Sequence, residues 1–335
     1  MLRRTVLRLP LVAAVAMGAL AATAPAQAQP SALHAPGDVH FATTATRGDV
    51  AHTIRRNDGS WYPFATVPYA PIAHFSGVLA SVIVGDEEHL MQQYYYGVGA
   101  YYRGLRYVIR HADGSWTEAA SPPDATGSTT FALTAVGGEL HRVRRADGGP
   151  IEHTARHADG TWSSPTVVAA QSPGDSSLAV AADGGVLRVF VVDRANGTAL
   201  SSFVRRTDGT WGQASAVPFA PAAGVTATSV DVAQVGAELH AAVIGSDGAV
   251  YHAALGSTGW TQFRDISSQT GAPGDFVNDV AVTASRGTLH LAVVTRENRL
   301  LHTIRLADGR WLPFGDVKQA TGSNVLAGAI SIAGS

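Results

Sequence analysis

Histidine, arginine and tryptophan recur in this sequence at fixed places. One set of histidines is His40, His89, His141, His240 and His290, with Arg188 in the remaining place. A second set is His52, His153, His252 and His302, with Tyr107 and Ser202 as its odd members. Nine of the 13 histidines fall in these two sets, so histidine here is a constraint of a repeating unit. A neutral imidazole donates through one nitrogen and accepts through the other, which suits a half-buried hydrogen-bonding post between neighbouring units. A metal centre would need three or more donors converging at about 2.1 Å on one ion. Equivalent positions in successive units are spread apart, so only pairs of the repeated histidines would meet, and no metal and no cofactor is expected. No G-x-S-x-G or comparable nucleophile motif stands near them, and no catalytic residue is nominated.

Arginine repeats three residues after the second histidine place, as Arg55, Arg110, Arg156, Arg205 and Arg305, with Leu255 breaking the series. Its planar fork of donors bridges sugar hydroxyls or a carboxylate; it serves equally as a partner for the aspartate of the turn that follows. The six tryptophans are Trp61, Trp116, Trp162, Trp211, Trp260 and Trp311. Each is either an anchor of an apolar core or a platform on which the apolar face of a sugar stacks. With Arg188, these arginines and tryptophans are the candidate ligand contacts. A further group is the segment YYYGVGAYY at 94–102. Tyr94, Tyr95, Tyr96, Tyr101 and Tyr102 form an aromatic rim for a ligand, or an extended hairpin whose alternate rings pack on their own sheet. Both readings stay open. Insertions in repeat arrays collect on one face, often the binding face.

The elements that must position these residues follow from the repeat itself. The tryptophans are separated by 55, 46, 49, 49 and 51 residues. Within one period, 131–168, the chain reads FALTAV, GG, ELHRVRRA, DGG, IEHTARHA, DG and TWSSPTVV: four short strands joined by turns. Asp-Gly and Gly-Gly suit two-residue hairpins, which need positive φ. An apolar residue follows the tryptophan by six places in five copies: Val67, Val168, Val217, Ile266 and Val317. Helical periodicity is absent beyond the N-terminus. Four-stranded units at this period read as blades of a β-propeller. The mature chain begins with DVHFATTATR, residues 38–47, which matches the second strand of a blade with the first strand missing, and it closes with VLAGAISIAGS, an unmatched first strand. Residues 325–335 are therefore expected to complete the blade begun at 38 and shut the ring. The expectation is an all-β protein, a six-bladed β-propeller of four-stranded antiparallel blades. These span about 38–67 with 325–335, 75–120, 128–168, 175–217, 225–266 and 276–317.

Composition bounds the remaining possibilities. The 335 residues carry a formal net charge of −2 and are 46% hydrophobic. That balance offers no electrostatic reason for a nucleic-acid partner. Arg3, Arg4 and Arg8 precede the apolar run 9–22, and the small-residue stretch APAQAQ follows, so residues 1–28 read as an export signal cleaved after Ala28, loosely of twin-arginine type. Residues 29–335 would then form a single secreted propeller domain. No later run is long and apolar enough for a membrane helix. There is no cysteine, which excludes disulfides and thiolate chemistry, so stability must come from a large core and ring closure.

The unit L-H-x-x-V … L-x-H-T-x-R-x-A-D-G-x-W resembles the repeat of bacterial and fungal propeller lectins, the fucose-specific lectin superfamily, over nearly all of 29–335. In those lectins the pockets lie between adjacent blades and use an arginine, a glutamate and aromatic residues. Aligned on this chain, the arginine falls on the second-strand histidine place, matched by Arg188. The glutamate falls on the third-strand place, which holds His52, Tyr107, His153, Ser202, His252 and His302. The resemblance implies a non-catalytic, lectin-like carbohydrate-binding module, multivalent through its ring of sites, with glycans as partners. The runner-up is a secreted glycoside hydrolase or lyase of sialidase-like architecture. The Asp-box of that family, S-x-D-x-G-x-T-W, is spaced differently from D-G-x-W, and Glu87, Glu88, Glu118, Glu139, Glu152, Glu238 and Glu297 include no obvious catalytic pair. A third reading is a protein-interaction scaffold.

Overall fold

The computed structural model describes residues 35–335 except 46–47, 69–76, 97–101, 119–121, 147, 171–176 and 194–198. Residues 1–28, expected to be an export signal, lie outside the described residues. Six antiparallel sheets of four principal strands stand around a common axis. The innermost strands are 330–334, 79–84, 128–136, 177–183, 227–235 and 277–285, in blades I to VI respectively. Blade I is built from both ends of the chain. Strand Ile330–Gly334 pairs with Val39–Thr44, Val39 opposite Gly334 and Thr43 opposite Ile330. The predicted closure is thus the observed one, and it leaves the innermost strand of that blade paired rather than exposed.

Turn chemistry explains where the strands reverse. Gly137 and Gly138, at φ of 62° and 81°, form the two-residue turn between the first and second strands of blade III. The Asp-Gly turns differ from expectation. At 56–60, Arg56 N–H donates to Ser60 O at 2.8 Å and Gly59 N–H to Arg56 O at 2.9 Å, which makes a three-residue loop with Gly59 at φ 89°. Asp58 is held there by accepting from Ser60 N–H at 2.9 Å and Ser60 Oγ at 2.6 Å. The fourth strand is also shorter than expected. In blades I, III, IV and VI the tryptophan makes one isolated bridge, to Arg55, Arg156, Arg205 or Arg305, before the ladder breaks. Pro63, Pro165 and Pro313 follow by two or three residues and cannot donate to a ladder. One-turn helices at Ser267–Thr270 and Val317–Thr321 are the exceptions to the all-β reading.

No blade owns a core. Each of the six apolar clusters joins two neighbours. Phe41 and Ile332 of blade I pack with Ala292 and Val294 of blade VI; Met91 and Tyr107 of blade II pack with Phe131 and Leu140 of blade III. The apolar residues after the tryptophans, Val67, Val168, Val217, Ile266 and Val317, are all buried in these interfaces.

The inner strands surround a channel of about 1270 Å³. Here side chains of one blade hold backbone amides of the next. Asp231 accepts from Val282 N–H at 2.7 Å, Asp279 from Ile330 N–H at 2.8 Å, and Ser331 Oγ from Ser81 N–H at 2.7 Å. Burial pushes the Asp231 carboxyl up to about 7 and Asp279 to about 6. Folded protein therefore holds a proton on Asp231 that the unfolded chain releases above pH 4. The stability linked to that proton is complete below pH 4 and is lost as pH rises through 7. Asp231→Asn has no charge to bury, but it turns one of the two accepting oxygens into an NH2 that faces a backbone N–H. Its melting temperature should fall below wild type at pH 5, and the deficit should shrink by pH 8, where wild type has lost the stability linked to its proton. A deficit that does not shrink between pH 5 and pH 8 would refute this account.

Candidate ligand sites in the blade seams

The repeated side chains meet where blades abut. The second- and third-strand histidines of one blade face each other across their hairpin. His141 Nδ1 lies 3.0 Å from His153 Nε2, His240 Nδ1 2.9 Å from His252 Nε2, and His290 Nδ1 3.1 Å from His302 Nε2. In each pair one imidazole donates and the other accepts, so at least the accepting ring is neutral. Burial holds His153, His252 and His290 down near pKa 3, and His89 and His240 near 4, with the arginine of the next blade adding to the effect in each case. In blade II, His89 Nδ1 bonds the Tyr107 hydroxyl instead. These pairs are the structural posts expected, formed within a blade rather than across the seam.

The tryptophan of the following blade closes over each pair. Trp116 stands edge-on to His52, Trp162 to Tyr107, Trp211 to His153, Trp311 to His252 and Trp61 to His302, at centroid separations of 5.2–6.1 Å. Ser202 leaves blade IV without a ring there, and Trp260 meets Phe190 and Phe263. Several tryptophan faces are occupied: Phe41 lies 4.8 Å from Trp61, and the buried Arg142 guanidinium lies 5.1 Å over Trp162. All six join the apolar clusters between blades, so the anchoring role is the one the structure displays.

The arginines have a split fate. Arg55, Arg156, Arg205 and Arg305 each fold over the glycine of their own Asp-Gly turn; a Cβ there would stand 3.2–3.4 Å from the guanidinium. From that place they project toward the histidines of the preceding blade. Arg110 is fully buried beside Glu88. Arg188 pairs with Asp183 of its own blade at 2.7 Å. Tyr94 belongs to an extended hairpin. It pairs with Gly104, where a Cβ would meet the tyrosine ring at 2.5 Å, and Arg106 lies 6.0 Å over that ring. Tyr95 and Tyr96 continue the pairing to Arg103 and Tyr102. Tyr101 and the tip lie outside the described residues.

The structure adds a further group to these seams. Glu87, Glu139 and Glu238 each stand two residues before a second-strand histidine, on the same strand face. The signal was legible as E-x-H in three blades, with D-x-H at Asp38. Glu87 engages His111 and Glu139 engages His157, both at 2.6 Å. In blade V the corresponding neighbour is Gly256, and Glu238 Oε2 faces His240 Nε2 at 3.7 Å. Glu238, His240, Leu289 and Arg305 line a seam pocket of about 190 Å³ between blades V and VI. It offers a carboxylate acceptor, an imidazole nitrogen, a guanidinium fork and an apolar wall within the space of a single sugar ring. Seams II/III and III/IV repeat the same groups with Glu87, His89 and Arg156, and with Glu139, His141 and Arg205. Seam VI/I has Thr288 in place of the carboxylate, and seam IV/V has Leu255 in place of the arginine.

The channel carboxylates, Asp231 and Asp279, are engaged by the backbone. Both oxygens of each accept backbone N–H bonds, Asp231 from Val232 and Val282, Asp279 from Val280 and Ile330.

The fold is that of the six-bladed β-propeller lectins. Similar solved structures include the fucose-specific lectin from Aleuria aurantia, 15% identical, covering 87% of this chain and 92% of that one at a TM-score of 0.57. The BP39L lectin from Burkholderia pseudomallei is 18% identical over 84% and 81% of the two chains, TM-score 0.57. AofleA from Arthrobotrys oligospora is 12% identical over 77% and 74%, TM-score 0.56. No family model and no curated protein matches the sequence.

Proposed function

We propose that this protein is a secreted, non-catalytic, multivalent carbohydrate-binding propeller whose sugars enter the seams between blades. The observation that carries the reading is the blade V/VI pocket, where Glu238, His240 and Arg305 converge beside Leu289. A carboxylate and a guanidinium together accept from and donate to vicinal hydroxyls, while the apolar wall takes the C–H face of the ring. Two further seams carrying the same groups give the ring its multivalence, and weak sites add through avidity on a glycan surface.

The test is a glycan array followed by calorimetry with the matching monosaccharide. Micromolar to millimolar binding at more than one site per chain is expected. Arg305→Ala removes charge-assisted hydrogen bonds of about 1.5–3 kcal/mol, a loss of about tenfold or more at its own site. Combined Arg156→Ala, Arg205→Ala and Arg305→Ala should silence the array. No glycan retained by the wild type at high micromolar concentration would end the lectin reading. Export is checked separately, by N-terminal sequencing of protein recovered from the medium, expected to begin at Gln29.

A further inference from the structure

The seam between blades I and II breaks the pattern of the others. Its histidines, His40 and His52, are not bonded to each other as described for blades III, V and VI. Their rings are tilted by 58°, against 14–22° in those three stacked pairs. Both turn instead toward Glu88 of blade II. His40 Nδ1 lies 2.7 Å and His52 Nε2 2.9 Å from the same oxygen, Oε2. All three side chains are buried. Glu88 Oε1 and His52 Nδ1 have no hydrogen-bond partner, although each is shut away from solvent. Leaving such atoms unpaired in the interior is costly, so a cluster built this way invites an occupant.

We propose that His40, His52 and Glu88 form a binding site for one divalent transition-metal ion, zinc by preference, that staples the closure blade to its neighbour. The donor atoms already lie within 4.8 Å of one another. Two imidazole nitrogens and a carboxylate are a ligand set suited to Zn²⁺, with a fourth position for water or for the unpartnered Oε1. A tetrahedral ion sets its donors roughly 3.3 Å apart, so a small rotation of Glu88 opens the present spacing far enough. Each histidine keeps its neutral charge and shifts its proton to the opposite nitrogen. Two ligands come from blade I, which is assembled from both ends of the chain, and one from blade II. The ion would therefore cross-link the ring beside its closure, in a protein that has no cysteine for the purpose. Arg110, which pairs across the hairpin with Glu88, opposes a cation. It weakens the site without preventing binding, because the Glu88 carboxylate offsets its charge. The inference is independent of sugar binding.

The full protein, stripped with chelator, should bind one equivalent of Co²⁺ with the visible absorption of a tetrahedral ion, displaced by Zn²⁺. Zinc should raise its melting temperature. Glu88→Gln and His52→Gln should abolish the cobalt spectrum, and His290→Gln, in a seam whose histidines pair with each other, should leave it intact. Arg110→Met should tighten binding about tenfold. Absence of equimolar binding at high micromolar metal overturns the proposal, as does a spectrum that survives Glu88→Gln. Should the variants fail to fold, a wild-type melting temperature unmoved by chelation and by zinc decides against it.

Discussion

Deleting residues 330–335 will leave a chain with no cooperative unfolding transition. That segment supplies the innermost strand of blade I, and Ile330 and Ile332 fill the cluster shared with blade VI. Without it the ring stands open at two seams, because blade I loses its hold on blade VI and on Ser81 of blade II together. Elements that bury apolar surface only against neighbours cannot make up the loss individually. Milder variants grade the effect. Ile332→Ala should cost about 2–5 kcal/mol as a buried truncation, whereas Leu312→Ala, at a 40% exposed site, should stay within about 0.5. Gly334→Val should be as harmful as the deletion. A Cβ there would lie 2.0 Å from Ala284 O on blade VI, backbone that has nowhere to retreat. Urea titrations followed by tryptophan fluorescence measure all four. A deletion variant that unfolds with the wild-type midpoint would show that closure is not what holds the ring.

Acid will unfold the protein through its buried histidines, at a pH where its exposed carboxylates are still largely charged. Eight seam histidines, His40, His89, His141, His153, His240, His252, His290 and His302, have pKa values lowered first of all by burial. The unfolded chain binds protons near pH 6.5 that the folded ring resists: His153, His252 and His290 until about pH 3, His89 and His240 until about pH 4, with burial holding His40, His141 and His302 below their ordinary value as well. The stability tied to these groups is therefore complete above pH 6.5 and falls away below it. Each group costs about 1.4 kcal/mol per pH unit, though bonded pairs take up their protons as units. Asp231 and Asp279 work the other way, gaining as pH falls, but they are two against eight. Ordinary domain stability is only about 5–15 kcal/mol, so a drop from pH 7 to 4.5 should exceed it. Denaturant midpoints at half-unit pH steps will show the slope, and His290→Gln with His302→Gln should flatten it. A midpoint constant between pH 7 and 5 would mean that the histidines are hydrated and ordinary.

Much of the architecture was legible because repetition reports it directly. Six tryptophans at near-equal spacing, with glycine turns between short apolar runs, admit few folds other than a propeller. An unmatched second strand at one end and an unmatched first strand at the other leave one simple closure. Local chemistry was read less well. D-G-x-W suggested a tight hairpin, but the turn spans three residues, and prolines at 63, 165 and 313 cut the last strand short.

The sites show the same division. Periodicity alone determined that histidine, arginine and tryptophan share positions, and therefore that they are neighbours of the same kind in every blade. It could not say which partners they meet, because those come from a different blade, some fifty residues away. Only the assembled ring decided that tryptophans close the seams edge-on, that Arg188 is paired with Asp183, and that Glu238 with Arg305 leaves a pocket. Glu88 is the clearest case. It stands in the place of the leucine of the L-H unit, Leu140, Leu187, Leu239 and Leu289 in other blades, so the sequence shows a carboxylate at an apolar position but not what that carboxylate meets. Its role is set by the half-turn of a strand that points it across the seam at two histidines of another blade. Strand alternation and turn type are properties of adjacent residues, which a sequence states openly; convergence across a seam is a property of how the blades are rotated about the axis, and that exists only in three dimensions.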